Sequence, residues 1–361
     1  MRALMALLQR LVKTGVATAL HRSGADAAIA ALRRVRRRPV VLGYHRIVDD
    51  VRPHLATSIP AMLTSRRMLE RHLDWVGRRF RVVAADELER LLDARGEPAR
   101  PVAAITFDDG YRDVYEHALP ILKRKGMPAI VFVVSDLVGT AGVLLHDRLY
   151  LAVARAFRSR RGAQAVRRAL AVVERPGLRR EPSGGALAVT ERVLTTLPQA
   201  DVRRVVDTVE ADIGVDDAQL SAFRPLSWEM LAEMQRHGVT VGAHTRTHPL
   251  LTHESEPTVK EEVVGSRRDL EARLGRPIRH FAYPAGDFDT STVRAVAGAG
   301  YDLAYTVCRH QDVEYPRLTL PRTLLWERSS VDAWGRFSSP ILSCQVNGVF
   351  DLVAPCRRSH R

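Results

Sequence analysis

The sequence has little cysteine, few aromatic residues and no long uninterrupted apolar run. Its 361 residues include three cysteines, Cys308, Cys344 and Cys356, which match neither a disulfide framework nor the spacing of a zinc knuckle. Aromatic residues make up 6% of the chain, and no run reaches the roughly 18 apolar residues of a membrane-spanning helix. These absences argue against a disulfide-stapled secreted domain and predict a reducing compartment.

Excess positive charge is present but is confined to parts of the chain. Of the formal net charge of +14, residues 1–38 carry +8, residues 141–185 carry +7 and the last five residues carry +3, which leaves −4 for the remainder. A nucleic-acid channel needs positive charge over the main body, with aromatic side chains for stacking. Nucleic acid is therefore not an expected partner. Hydrophobic residues, at 46%, are sufficient for a large core.

The N-terminal 20 residues predict a basic amphipathic helix. Its apolar residues recur at helical spacing, and they are Leu4, Leu7, Leu8, Leu11 and Val12. Such a helix either lies on an anionic membrane surface or packs against the rest of the chain, and the sequence leaves both interpretations open. The apolar stretch is poor for a secretory signal, so we expect the protein to be cytoplasmic or peripheral at the inner face of the membrane.

Apolar runs and amphipathic segments alternate along most of the chain. Strands are predicted near residues 39–45, 102–107, 129–134, 239–243, 279–283, 303–307 and 318–325, mostly with helices between them. This pattern predicts an α/β fold, an irregular (β/α)7-type TIM-like barrel. Residues 141–225 predict an α-helical insertion. We therefore divide the chain into a basic helical extension (1–38), a barrel with its insertion (39–340) and a C-terminal tail (341–361).

Four segments with candidate functional residues follow directly after predicted strands. They are Tyr44-His45, Asp108-Asp109, the segment His244 to His248, and Tyr283 to Gly286. Because active sites of parallel barrels form at the C-terminal ends of the strands, we expect these segments to meet. Two histidines and one carboxylate can hold a divalent ion with open coordination positions, and a second carboxylate can accept a proton. The alternatives are an Asx-type turn at the aspartates and surface or structural histidines.

Three of these segments together resemble one family. Thr106-Phe107-Asp108-Asp109-Gly110 is similar to the first motif of the polysaccharide deacetylases (the NodB-homology domain, carbohydrate esterase family four). His244-Thr245-Arg246-Thr247-His248 is similar to the second motif, and Phe281-Ala282-Tyr283-Pro284-Ala285-Gly286 to the third. The resemblance covers about residues 39–140 and 225–325.

The resemblance implies metal-dependent removal of an N-acetyl group from an amino sugar. It implies Asp109, His244 and His248 as ligands of a divalent metal, namely zinc, with cobalt, nickel or iron as alternatives. It implies Asp108 as the general base. A divalent ion lowers the pKa of bound water enough to supply a nucleophile at neutral pH.

Tyr283, Pro284 and Ala285 are the candidates for substrate and oxyanion contact, with the backbone N–H of Ala285 as the oxyanion donor. The sequence departs from many relatives because it lacks their C-terminal histidine motif after residue 310. It resembles instead the subgroup in which a first-strand histidine, here His45, is the general acid.

A second departure is Ala282, where many relatives carry an arginine that orients the base. Arg279 and Arg322 are the candidates to replace it.

The leading hypothesis is a hydrolase that removes N-acetyl groups from an envelope glycan or exopolysaccharide. One alternative is a deacylase or deformylase of a lipid-linked amino sugar, which the basic N-terminal helix would suit. Another alternative is a catalytically silent barrel that only binds glycan. The complete set of Asp108, Asp109, His244 and His248 argues against the silent barrel.

Overall fold

The computed structural model describes residues 2–32, 39–94, 98–159, 162–173, 175, 184–214, 217–352, 356 and 360. Within these residues, strands and helices alternate around a parallel barrel. A helical segment is inserted between the third and fourth barrel strands, and two helices precede the first strand.

Seven parallel strands close the barrel. The described residues form ten strands: β1 (Val40–Tyr44), β2 (Arg46–Val48), β3 (Leu63–Ser65), β4 (Arg81–Val82), β5 (Val102–Phe107), β6 (Ala129–Val133), β7 (Val239–Ala243), β8 (His280–Ala282), β9 (Leu303–Thr306) and β10 (Leu320–Leu324). The barrel consists of β1 and β5 to β10, and it closes because β1 pairs with β10 on one side and with β5 on the other. The predicted (β/α)7-type barrel is confirmed.

Helices surround the barrel and extend the chain at both ends. The described residues form fourteen α-helices: α1 (Arg2–Arg22), α2 (Ala25–Leu32), α3 (Arg66–Arg79), α4 (Ala85–Asp93), α5 (Leu119–Lys125), α6 (Leu145–Ala156), α7 (Gly162–Ala171), α8 (Gly185–Leu194), α9 (Gln199–Ile213), α10 (Asp217–Leu220), α11 (Trp228–Arg236), α12 (Glu256–Leu274), α13 (Thr290–Gly298) and α14 (Ser339–Val346). Ser227 caps α11 by accepting a hydrogen bond from the backbone N–H of Met230.

The barrel strands are buried on both faces, so their sequences are continuous apolar runs. In β5, Ala103, Ile105 and Phe107 belong to the core between the strands and the surrounding helices. Val102 and Ala104, which alternate with them, belong to a separate apolar cluster that includes residues of β6, β9 and β10 and fills the barrel interior. Polar residues are consequently placed at the strand ends.

The inserted segment forms a small helical layer with its own core. Within residues 141–225, the described part contains α6 to α10 and no strand. Val153, Val166, Val193 and Val206 from four of these helices pack together in a cluster separate from the barrel core. This core allows the insertion to present a fixed surface to the barrel.

The N-terminal helix packs against the C-terminal helix by one face only. Ala17 of α1 is buried against Ile341 and Cys344 of α14, so the segment predicted as a tail from residue 341 begins as a buried helix. Parts of the predicted extension and tail lie outside the described residues: 33–38 in the extension, and 353–355, 357–359 and 361 in the tail. Among the described helices, none has the length and apolar character required to cross a bilayer.

Candidate active site

The segments that follow β1, β5, β7 and β8 meet at one end of the barrel. Their side chains line a cavity of about 200 Å³, together with residues from the insertion. His45, Asp108, Asp109, His244 and His248 all contribute to its lining. The barrel topology therefore brings together the five residues for which the sequence predicts metal-binding or proton-transfer roles.

Asp109, His244 and His248 form a compact cluster. The Oδ1 atom of Asp109 lies 3.4 Å from Nε2 of His244 and 3.2 Å from Nε2 of His248. All three ligand atoms are within 4.8 Å of one another. One carboxylate and two imidazoles at these distances can share a single cation.

The polar atoms of this cluster fit a bound metal. The Nδ1 atom of His244 lies 2.7 Å from the carbonyl oxygen of Ala282, which can only accept a hydrogen bond, so Nδ1 carries the proton. Nε2 of the same ring faces Asp109 Oδ1. That oxygen is buried and accepts no hydrogen bond from the described residues. A cation between Nε2 and Oδ1 would satisfy both atoms, so the donor set fits a divalent ion.

The cluster also determines the protonation of Asp109. Burial raises the pKa of this carboxyl, but the neighbouring His244 and His248 outweigh burial and hold the pKa well below its usual value. Asp109 is therefore an anion, as a metal ligand must be.

The backbone is strained where it presents the site residues. Among the described residues, four that are not glycine adopt positive φ, namely Asp109 (70°), Thr245 (66°), His248 (67°) and Ala285 (52°). All four lie in the loops after β5, β7 and β8. Such conformations cost of the order of 1–3 kcal/mol each and tend to occur where a functional geometry is held. The strained backbone conformations therefore occur in the same loops that carry the candidate active-site side chains.

Arg322 of β10 holds Asp108. Its Nη1 and Nη2 atoms donate to the two carboxylate oxygens of Asp108 at 2.6 and 2.7 Å, and both side chains are buried. Burial raises the pKa of Asp108, but Arg322, followed by His244 and His45, shifts it below its usual value. Of the two arginines that could replace the missing arginine at Ala282, Arg322 is the one at the site. Arg279 instead lies near Glu89 and Asp302.

His45 lies beside Asp108 at the end of β1. Its Nε2 atom is 3.9 Å from Asp108 Oδ2. Burial lowers the pKa of His45, and Asp109 and Asp108 oppose this without reversing it. The position of His45 on the cavity wall places an imidazole within reach of a group bound next to Asp108.

Of the three residues in the loop after β8 that are predicted to contact the substrate, two line the cavity and one does not. Pro284 and Ala285 line the cavity, as does Gly286. Tyr283 is buried in the core, and its hydroxyl donates to the carbonyl oxygen of Leu318 at 3.0 Å. Its side chain therefore supports the loop from the core and does not face the cavity. Gly286 has φ +63°, and a Cβ there would lie 2.5 Å from the backbone nitrogen of Val307.

His146 is a site residue that the sequence analysis did not identify. It comes from α6 in the insertion, and its Nε2 lies 4.0 Å from Asp109 Oδ2 and 3.1 Å from the hydroxyl of Tyr111. Burial lowers the pKa of His146 to about 3, so the ring is neutral. The polar pair His146-Asp147 at the start of a mostly apolar helix was the one available signal in the sequence.

One wall of the cavity is apolar. The insertion contributes Leu145, Leu194, Leu197 and Val202, and the segment after β2 contributes Ile59 and Met62. The insertion therefore covers part of the site.

Solved structures of similar fold come from several bacteria. The Streptococcus pyogenes deacetylase PplD, in complex with acetate, is 18% identical with a TM-score of 0.53, over 84% of this chain and 96% of that one. IcaB from Ammonifex degensii is 21% identical with a TM-score of 0.53, over 86% and 97% of the two chains. At these identities, the similarity concerns the fold.

Sequence comparisons identify the family. The protein YxkH of Bacillus subtilis, which is named as a polysaccharide deacetylase, is 30% identical over 97 residues. That alignment spans 27% of this chain, which thus covers about a third (35%) of the length of YxkH. A family model described as polysaccharide deacetylase matches residues 95–168 and 184–304, more than half of the chain. The resemblance of the three motifs is confirmed, and the chain belongs to the polysaccharide deacetylase family.

Proposed function

We propose that the protein is a metal-dependent hydrolase that removes N-acetyl groups from amino sugars of an envelope glycan or exopolysaccharide. One observation carries this proposal: a carboxylate and two imidazoles that can share a cation lie in one cavity with a second carboxylate fixed by an arginine. Family membership supports the reaction class. The complete set of residues argues against a silent barrel that only binds glycan.

Asp109, His244 and His248 would hold the ion. When bound, a divalent ion makes water nucleophilic at neutral pH and stabilises negative charge on the amide oxygen. Asp108 accepts the proton of the attacking water, and His45 donates a proton to the departing amine. The products are acetate and the free amino sugar. The backbone N–H of Ala285 is the proposed second donor to the developing oxyanion.

Zinc is the proposed metal. Two imidazole nitrogens and one carboxylate oxygen, with further positions open, are typical of catalytic zinc sites. The same donor set also accepts cobalt, nickel or iron. Elemental analysis of the protein purified without added metal distinguishes among them.

The experiment that tests the proposal measures acetate release from a panel of N-acetylated glucosamine oligomers. The wild type is expected to release acetate, to lose activity after chelation and to regain it with zinc. Asp108→Asn should abolish turnover with metal content near wild type, whereas His248→Ala should lose the metal held by Asp109, His244 and His248. A wild-type protein that binds the oligomers without releasing acetate would identify the silent barrel. If Asp108→Asn loses as much metal as His248→Ala, Asp108 is a metal ligand, and its assignment as the base rather than a ligand is contradicted.

We propose as a second candidate a deacylase of a lipid-linked amino sugar. The apolar wall formed by Leu194, Leu197 and Val202 supports it, because apolar side chains beside the reacting groups favour a substrate with an apolar portion. The discriminating measurement compares kcat/KM for a polyprenyl-linked N-acetylated or N-formylated amino sugar with that for a soluble oligomer of the same sugar. A preference for the soluble oligomer would contradict this candidate.

We further propose that α1 contacts an anionic membrane surface and that the protein is peripheral at the inner face of the membrane. Six apolar side chains of α1 are exposed: Met5, Leu7, Leu8, Leu11, Val12 and Val16. Arg10 and Arg22 on the same helix are exposed and basic. An exposed apolar face with adjacent cations is typical of helices that lie in a membrane interface.

A further inference from the structure

A second group of metal-ligating side chains lies outside the candidate active site. Cys308 follows the C-terminal end of β9, and Cys356 and His360 are close to the C-terminus. The Nε2 atom of His360 is 3.3 Å from Sγ of Cys308 and 3.4 Å from Sγ of Cys356. All three ligand atoms lie within 4.8 Å of one another.

The imidazole of this group is held in the orientation that a metal ligand needs. The Nδ1 atom of His360 lies 2.9 Å from the carbonyl oxygen of Phe288. A carbonyl only accepts hydrogen bonds, so Nδ1 carries the proton, and in the neutral ring Nε2 directs its lone pair towards the two sulfurs. The ring stacks on Phe288 and His310, with centroids 4.3 and 4.7 Å apart.

We propose that Cys308, Cys356 and His360 bind a zinc ion at a site distinct from the one formed by Asp109, His244 and His248. Two thiolates and one imidazole are preferred zinc ligands, and they leave the fourth tetrahedral position for water or another group. The sequence alone gave no indication of this site because Cys308 is separated from the other two ligands by 48 residues or more. The fold brings the ligands together.

The position of the site indicates a structural role next to the catalytic cavity. Cys308 directly follows Val307, which lines that cavity and touches Gly286. Phe288, whose carbonyl holds His360, lies in the loop that continues from Gly286. An ion shared by these ligands connects Cys356 and His360 to Cys308 and so holds them next to Phe288, in the loop that carries Ala285.

The test uses the full-length chain in a thiol-free reductant. In a His244→Ala, His248→Ala background, which lacks two ligands of the catalytic site, we expect one zinc per chain by elemental analysis. Adding Cys356→Ser should remove that zinc. Cys356 is exposed, so this substitution does not disturb the core. Cys344→Ser is the matched control, because Cys344 is buried and outside both clusters, and it should keep the zinc.

Cobalt substitution gives an independent readout. Thiolate-to-cobalt charge transfer absorbs in the near ultraviolet, and the Asp109–His244–His248 cluster contains no thiolate, so this band would report the Cys308–Cys356–His360 site alone. We expect the band in the wild type and in His248→Ala, and its loss in Cys308→Ser and His360→Asn. Absence of the band from the wild type would overturn the proposal. So would an unchanged zinc content in Cys356→Ser, or a Cys308–Cys356 disulfide that persists in reductant.

Discussion

The buried pair of Arg322 and Asp108 fixes the orientation of the proposed base. Two parallel hydrogen bonds from a planar guanidinium define both the position and the plane of the carboxylate. Arg322 also donates to Thr106 Oγ1 at 3.1 Å, which ties it to the strand that carries Asp108. The family's usual arginine is absent at Ala282, yet the arginine on β10 reaches the same carboxylate. An arginine on a different strand thus makes the contact proposed to orient the base.

Arg322→Lys should lower kcat/KM by about 100-fold, because a lysine keeps the charge but cannot hold both oxygens of Asp108. Metal content should remain at the wild-type value, since Asp109 and the two histidines are unchanged. The readouts are acetate release and elemental analysis. Arg279→Lys, at the exposed position near Glu89 and Asp302, is the control and should retain full activity. Equal activity of the two variants would refute a positioning role for Arg322.

His45→Ala should lower the rate of amide hydrolysis by about 100- to 10,000-fold, because the amine must be protonated as it leaves. A substrate with a good leaving group does not need that proton. The same variant should therefore hydrolyse 4-nitrophenyl acetate at close to the wild-type rate, whereas Asp108→Asn should lose both activities. If His45→Ala loses both activities equally, His45 is not the acid.

At the scale of elements, the sequence predicts the barrel because parallel strands buried on both faces have an unmistakable apolar pattern. The ends of β5 and β7 carry the pairs Asp108-Asp109 and His244 to His248, so their convergence follows from topology. The contribution of the insertion could not be predicted in this way. His146 and Leu197 reach the cavity through the packing of α6 and the segment before α9 against the barrel, and no local sequence pattern predicts how a helix packs against a barrel.

Helix α3 is joined to β1 through a buried histidine. His72 is fully buried and hydrogen bonded to the hydroxyls of Tyr44 (3.3 Å) and Ser330 (2.6 Å). Burial lowers its pKa to about 3. Because its pKa in the unfolded chain is about 6.5, the unfolded state binds a proton that the folded state does not at intermediate pH. His72 therefore makes the fold sensitive to acid.

His72→Gln should weaken this sensitivity. In the wild type, the contribution of His72 to the free energy of unfolding is constant above about pH 6.5. It is lost as the pH falls towards 3, with a slope approaching about 1.4 kcal/mol per pH unit. The stability difference between wild type and His72→Gln should therefore shrink as the pH is lowered through that window. Urea unfolding of the chelated proteins measures it, with the exposed His237→Gln as control. A pH-independent difference would contradict the prediction.

At the scale of the whole molecule, the N-terminal helix packs against the fold by one face and leaves its other face available for the proposed membrane contact. Its inner face packs on α14 through Ala17, and Lys13 donates to the carbonyl oxygen of Ser329. Its outer face leaves Leu8, Leu11 and Val12 between 43% and 56% exposed. A helix attached to the fold by one side holds its apolar side at a fixed orientation relative to the catalytic cavity. Such an arrangement suits an enzyme whose substrate is at a membrane.

The double substitution Leu8→Ser, Leu11→Ser should abolish binding to vesicles that contain anionic phospholipid, because it removes apolar area from the outer face of α1. Deleting the helix is a poorer test, since it would uncover Ile341 and Cys344. Wild-type binding, measured by vesicle co-sedimentation, should weaken with added salt as the attraction of Arg10 and Arg22 is screened. Val313→Ser is the matched control, because Val313 is an apolar residue that is 97% exposed and lies outside α1. If the double variant binds as tightly as this control, α1 is not the membrane contact.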